Sequence, residues 1–335
     1  MFSRKTLCVT DFGAETVIAV CAEKKADGSF HLLGGGEVAA DGVERGRIVH
    51  LGDAVECVHE AIRKAEKSSG VKFRAVYYNL DDPGMESVRA QGSQSISGEG
   101  EIRRSDVRRA RHTALRLAAH FDKSVVYARE TGFLIDDRDL VASPVGVFGR
   151  KLGVSMHLLV AGAEHFGMWQ KLFYRCQVPH AIPVVSAWST AYGILPKEDR
   201  RKRSLIFDWG KDFLNGILFE DGAIRDHALW LTDENAPSRI KAFWEKNGSP
   251  AEILVTGDLA ADKNLADLIQ PAIPVPARVA LPLGPAKLGE AKYASLAGLL
   301  HVADELEKQR PRTSRGRHAF ASVQERVTAF MQEYF

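Results

Sequence analysis

Long apolar runs are missing from this 335-residue sequence. No stretch approaches the ~20 consecutive apolar residues that a bilayer-spanning helix requires. The opening MFSRKTLCVTDFG has no apolar core of the kind a secretory leader carries, so the expectation is a cytosolic protein that does not cross a membrane. Cysteine is scarce: Cys8, Cys21, Cys57 and Cys176 are scattered without CxxC spacing, which suits reduced thiols better than a disulfide framework and suggests no zinc site. A charge excess is absent too. The 45 Lys+Arg and 43 Asp+Glu leave a net +2, so no nucleic-acid partner is expected for the molecule as a whole. His157 and His165 fall on different predicted elements, and no His, Cys and carboxylate spacing suggests a metal. No Ser/His/Asp or Cys/His arrangement defines a nucleophile, so no catalytic residue is assigned.

What is present is a chain with 45% hydrophobic content, enough for a packed core and long enough for two domains or one large α/β unit. Residues 6 to 38 alternate in short runs broken at Gly13 and again at Asp27-Gly28, which predicts three strands joined by two hairpins. Residues 204 to 232 repeat the plan, with a corner at Asp208-Trp209-Gly210 and a second turn at Asp221-Gly222. The first corner reads Asp11-Phe12-Gly13, 197 positions upstream of the second, so the duplication spans half the chain and predicts two pseudo-equivalent domains. Between the copies, AVECVHEAIRKAEKSSG has helical spacing and AVYYNL reads as a buried strand, a strand-helix-strand crossover. Residues 84 to 160 differ in texture: a Gly/Ser-rich polar strand, a helix SDVRRARHTALRLAAH expected to be capped by Ser105, then further strands. Gly34, Gly35 and Gly36 sit inside a strand pattern with no helix following, which predicts a bulge or turn and not a phosphate loop.

A duplicated three-strand unit with an Asp-x-Gly corner in each copy resembles the actin/Hsp70/sugar-kinase fold. Within that fold the chain is similar to FtsA, the actin-like bacterial cell-division family. The likeness is carried in order by DFGAETVIAVCAE, GVERGRIVHLGDAVECVHEAI, GEGEIRRSDVRRA, SPVGVFGRKLGVSMHLLVAG, VPHAIPVVSAWSTAYGIL, DWGKDFLNGILFEDGAIRDHAL, ILVTGDLA and YASLAGLLHVAD. It implies an α/β, actin/Hsp70-like (ribonuclease H-like) duplicated two-domain fold with an inserted FtsA-type α+β subdomain. The expected layout is 1–83 and 161–185 for the first actin-like domain, 84–160 for the inserted subdomain, 186–307 for a reduced second domain, 308–318 for a basic linker and 319–335 for an amphipathic helix.

The resemblance also implies a nucleotide site at Asp11, Gly13, Asp208, Gly210 and Gly257, with ATP and Mg as its ligands. The residues around those positions argue against it. The family's first corner continues Thr-Ser-Lys, but here Ala14, Glu15 and Thr16 follow Gly13. Its second corner continues Gly-Gly-Thr-Thr-Asp, but here Lys211, Asp212, Phe213, Leu214 and Asn215 follow. A phosphate site needs small residues so that backbone N–H groups can approach the oxygens, and each acid close to a polyphosphate costs up to about 4 kcal/mol at an effective dielectric of ~20. The expectation is a pseudo-ATPase with no cofactor. Only residues 233 to 252 separate two strands where the family carries a nucleotide-closing, FtsZ-docking subdomain, too few for a domain of ~50 residues.

In AFASVQERVTAFMQEYF, Phe320, Val323, Val327, Phe330, Met331 and Tyr334 fall on one helical stripe, extended by Phe335. At 1.5 Å per residue such a helix spans only about 24 Å, so it lies in a membrane interface and does not cross it. Lys308, Arg310, Arg312, Arg315 and Arg317 just upstream add up to about 1 kcal/mol each at an anionic leaflet. The expectation is a peripheral protein on the cytoplasmic face of the cell membrane at the division site, tethering FtsZ or other division proteins and self-associating. The rival readings are a PilM-like adaptor of a pilus or secretion assembly and an active actin-like ATP-binding protein. Arg103, Arg104, Arg108, Arg109, Arg111 and Arg116 gather around the inserted subdomain's helix, interleaved with acids, as a solvated face or partner surface.

Overall fold

The computed structural model describes residues 6–118, 122–248, 250–261, 273 and 275–309. They divide into two compact units, one of residues up to Pro83 and from His165 to Gln309, the other from Gly84 to Glu164.

The first unit starts with the antiparallel strands β1 (Thr6–Phe12), β2 (Thr16–Lys24) and β3 (Phe30–Ala39), followed by a hairpin of β4 (Val43–Glu44) and β5 (Arg47–Ile48). Helix α1 (Leu51–Ser69) buries Ala54, Cys57, Val58, Ala61, Ile62 and Ala65, spaced three and four apart, and stops at left-handed Gly70. It returns the chain to β6 (Ala75–Leu80), parallel to β1. The glycines of β3 let α1 lie close: a Cβ on Gly36 would sit 2.2 Å from the Ala61 carbonyl oxygen. The register between β2 and β3 slips beside Gly34, after Cys21, so the predicted bulge is there as well.

The second unit, described by itself, is a four-stranded sheet in the order β7-β10-β8-β9, built from β7 (Glu86–Glu101), β8 (Lys123–Ile135), β9 (Asp139–Val141) and β10 (Phe148–Gly162). Helix α2 (Arg104–Ala118) covers one face, and Ile102, Val107, Ala110 and Ala114 pack with Leu152, Val154, Met156 and Leu158. Ser105 lies inside the helix and is not its cap. The Asp106 carboxylate instead accepts the Arg103 backbone N–H at 2.8 Å, a carboxylate reaching back to the free donor that a helix start exposes.

The first unit resumes with α3 (Ala163–Arg175), β11 (His180–Val185) and α4 (Ser186–Ile194), giving a five-stranded sheet in the order β11-β6-β1-β2-β3. Pro183 has no N–H to donate and lies on the edge strand β11, where that loss is tolerated. Every residue of α4 is buried, and its Ser186, Ser189 and Thr190 hydroxyls are each hydrogen-bonded. The second sheet repeats the first: β12 (Ser204–Trp209), β13 (Phe213–Glu220) and β14 (Ala223–Leu231) are antiparallel, α5 (Ala236–Asn247) crosses over, and β15 (Glu252–Thr256) runs parallel to β12. β16 (Ala277–Val279) closes the order β14-β13-β12-β15-β16. Between β14 and β15 the described residues form α5 and no further subdomain. Helix α6 (Ala294–Gln309) packs on α4 where small residues face each other: a Cβ on Gly298 would lie 1.6 Å from the Ser189 carbonyl oxygen.

Candidate functional site

In both halves of the first unit, parallel strands deliver a carboxylate at or just past their carboxyl ends: Asp11 on β1, Asp81 after β6, Asp208 on β12 and Asp258 after β15. These are the strand ends at which open α/β sheets assemble ligand sites. All four line one cavity of about 280 Å³, together with the predicted positions Gly13, Gly210 and Gly257. Sequence reasoning missed Asp81, although a doublet of acids straight after a buried strand was a readable signal. It also missed the polar groups that hold the carboxylates. Asp11 accepts from Asn79 Nδ2 at 3.1 Å and Ser295 Oγ at 3.0 Å. Asp208 accepts from Thr190 Oγ1 at 2.5 Å, and Asp81 accepts from Ser186 Oγ. Ser189 Oγ ties Asn79 to α4 at 2.6 Å. Ser186 and Ser295 stand in the first turns of α4 and α6, so two positive helix ends face the acids.

Burial outweighs that support. It pushes Asp81 up to about 7, against the Ser186 hydrogen bond, with the charges of Asp208, Asp11 and Asp82 adding to the effect. Asp208 rises to about 6 for the same first reason, opposed by Thr190 and reinforced by Asp11 and Asp258. Asp11 and Asp258 are raised as well, burial again leading. Burial and the neighbouring carboxylates thus push all four acids in the same direction, against ionisation.

The two corners are built alike. The Gly13 N–H donates to the Thr16 carbonyl at 2.9 Å, and the Gly210 N–H donates to the Phe213 carbonyl at 2.8 Å. Neither glycine has a positive φ, so the corners turn by hydrogen bonding and not by left-handed backbone. The positive φ belongs to Gly257, at +99°, where a Cβ would lie 2.6 Å from both Asp208 Oδ1 and the Trp209 carbonyl oxygen. Lys211 of the second corner forms an ion pair with Glu15 of the first. The Phe213 ring packs against Gly46 of the β4–β5 turn, 3.2 Å from where a Cβ would stand. Seven carboxylates and two lysines line the cavity. Among the described residues, no group of three or more His, Cys, Asp or Glu is arranged to hold a metal ion, and no helix is long and apolar enough to cross a membrane. Phe320, Val323, Val327, Phe330, Met331, Tyr334, Phe335, Arg315 and Arg317 lie outside the described residues.

Two sheets of one plan, sharing a cleft at their strand ends and interrupted by a small α+β unit, define an actin-like fold. A solved structure of a PilM-PilN type IV pilus biogenesis complex matches it at a TM-score of 0.60 and 12% identity, over 90% of this chain and 99% of that one. Within the fold the chain is FtsA-like. Residues 84–160 match the SHS2 domain inserted in FtsA. The cell division protein FtsA of Pseudomonas aeruginosa is 23% identical over 227 residues, 68% of this chain and 54% of that protein. The Escherichia coli FtsA is 24% identical over 222 residues, 66% and 53% respectively. The chain thus spans about half the length of the curated relatives it matches.

Proposed function

We propose that this chain is a scaffold of the bacterial division machinery that tethers partner proteins to the cytoplasmic face of the membrane and does not turn over ATP. The observation that carries the second half is the state of the cleft mouth. Where FtsA-like corners are bare, Phe213 packs on Gly46, Lys211 is engaged by Glu15, and the lining is strongly acidic. A triphosphate entering there meets carboxylates before it meets free backbone N–H groups, since those of Gly13 and Gly210 are spent within their own turns. The first half rests on the resemblance to FtsA and on the apolar stripe of residues 319–335 with its upstream arginines. Such a helix binds weakly and reversibly alone, and side-by-side association of several bodies multiplies its hold. FtsZ and other division proteins are the partners this reading assigns.

Co-sedimentation with anionic vesicles tests it: the full chain pellets, and a chain lacking 319–335 stays in the supernatant. Equal behaviour of the two overturns the membrane assignment. A second reading, an adaptor of a pilus assembly, is favoured by the match that covers nearly all of the matched chain of the PilM-PilN complex, against half of FtsA. Division-site localisation of a fluorescent fusion separates the two.

A further inference from the structure

The second unit carries two features on neighbouring surfaces that the proposed function does not use. The first is an open edge. β7 runs for 16 residues and stands at the end of its sheet, paired with β10 alone among the described residues. Its middle, Val88–Gly98, contains no carboxylate, and its residues away from the core are mostly exposed. A strand edge of this length presents a row of unpaired N–H and C=O groups to any extended chain.

The second feature is the outer face of α2. Arg104, Arg108, His112 and Arg116 recur every fourth residue and are exposed. Arg104 and Arg108, one turn apart, repel each other and destabilise the helix. The one carboxylate in α2, Asp106, is buried and bound to Arg109, so it does not neutralise the stripe. Arg104, Arg108 and Arg116 have no ion-pair partner among the described residues.

The two features adjoin. Gly92 of β7 lets α2 lie against that strand: a Cβ there would be 2.3 Å from the Ala110 carbonyl oxygen and 2.4 Å from the Ala114 nitrogen. Arg111 pairs with Glu130 on β8, towards the far side of the sheet. At about 100° per residue, the opposite flank of α2 carries Arg109, Thr113, Arg116 and Leu117 and overhangs the β7 edge. Leu117 is 69% exposed at the end of that flank.

We propose that the β7 edge and the overhanging flank of α2 together bind an extended acidic segment of a partner protein, added to the sheet as a fifth strand. Backbone hydrogen bonds to β7 hold the segment. Its alternate side chains, which point to the α2 face, are carboxylates that meet Arg116 and its neighbours, with an apolar residue reaching Leu117. A second copy of this chain is disfavoured as the occupant. Antiparallel pairing of two β7 edges with both helices on one face would bring two cationic helices side by side.

The test uses the full chain and a fluorescein-labelled Glu-Val repeat of about ten residues, read by fluorescence anisotropy. Two further probes carry N-methyl groups on alternate residues, one in each parity. The expected result is saturable binding that one parity of methylation abolishes and the other spares, because only one edge of an added strand faces β7. The R116E/L117E variant, checked for an unchanged melting curve, loses about tenfold or more in affinity. Equal binding of both methylated probes overturns strand addition, and equal binding by the variant overturns the role of the flank. Absence of binding at about 100 µM peptide overturns the proposal outright. So does saturation of the same arginines by anionic vesicles or an oligonucleotide that the peptide fails to displace.

Discussion

Replacing Asp81 and Asp208 with asparagine tests the electrostatics of the cleft most fully. Burial lifts Asp81 from 3.8 to about 7 and Asp208 from 3.8 to about 6. A carboxyl group whose pKa is higher folded than unfolded binds more protons in the folded state between those two values, so its contribution is complete at low pH and is lost as pH rises through the folded value. At 1.36 kcal/mol per unit, Asp81 alone corresponds to roughly 4 kcal/mol. Part of that comes from the charges of Asp208 and Asp11, so adding the two residues separately would count one repulsion twice, and the joint effect lies between about 4 and 7 kcal/mol. His165 and His301, whose pKa values burial lowers, act in the opposite sense and raise stability as pH rises. The informative quantity is therefore the difference between wild type and variant. Urea unfolding from about pH 5 to about pH 8 is predicted to show the D81N/D208N protein gaining on the wild type by several kcal/mol. Asparagine keeps an oxygen to accept from Ser186 and Thr190, so packing is preserved. A difference that stays flat across this range refutes the reasoning.

Gly257→Ala puts a Cβ 2.6 Å from two oxygens at a φ of +99°, and a loss of about 3–4 kcal/mol is expected from denaturant titration. Gly298→Ala wedges α6 from α4 at a 1.6 Å approach to the Ser189 carbonyl oxygen; thermal melting should report at least about 3 kcal/mol of destabilisation. Lys211→Ala, by contrast, removes an ion pair whose side chains are 46% and 69% exposed, and should change unfolding stability by less than about 1 kcal/mol, less still at high salt.

The repeat of strands was legible because each hairpin leaves a local trace: Gly13 and Gly210 after an acid, and Asp221-Gly222 between alternating runs. The α1 helix was legible from its spacing and from Gly70. What stayed hidden depends on contacts between distant segments. Nothing near Ser295 or Thr190 in the sequence tells that their hydroxyls reach Asp11 and Asp208, 284 and 18 positions away. The role of Gly36 follows only once α1 is known to lie across β3. Ser105 misled because its residue type suits a cap, while Asp106 one position on has the reach to take the Arg103 N–H. The corners show the same limit. The Asp-x-Gly pattern located them, but the backbone conformation that only glycine tolerates is at Gly257, where the signal is a single glycine after a buried strand.

Isothermal calorimetry with Mg-ATP measures the central claim most directly, since the account holds that Phe213, the Glu15–Lys211 pair and the surrounding carboxylates deny the cleft to a triphosphate. No saturable heat is predicted for the wild-type chain at about pH 7.5, above the raised values of Asp81 and Asp208. A single-site isotherm with a Kd of about 10 µM or tighter, lost on Asp208→Lys, would contradict it.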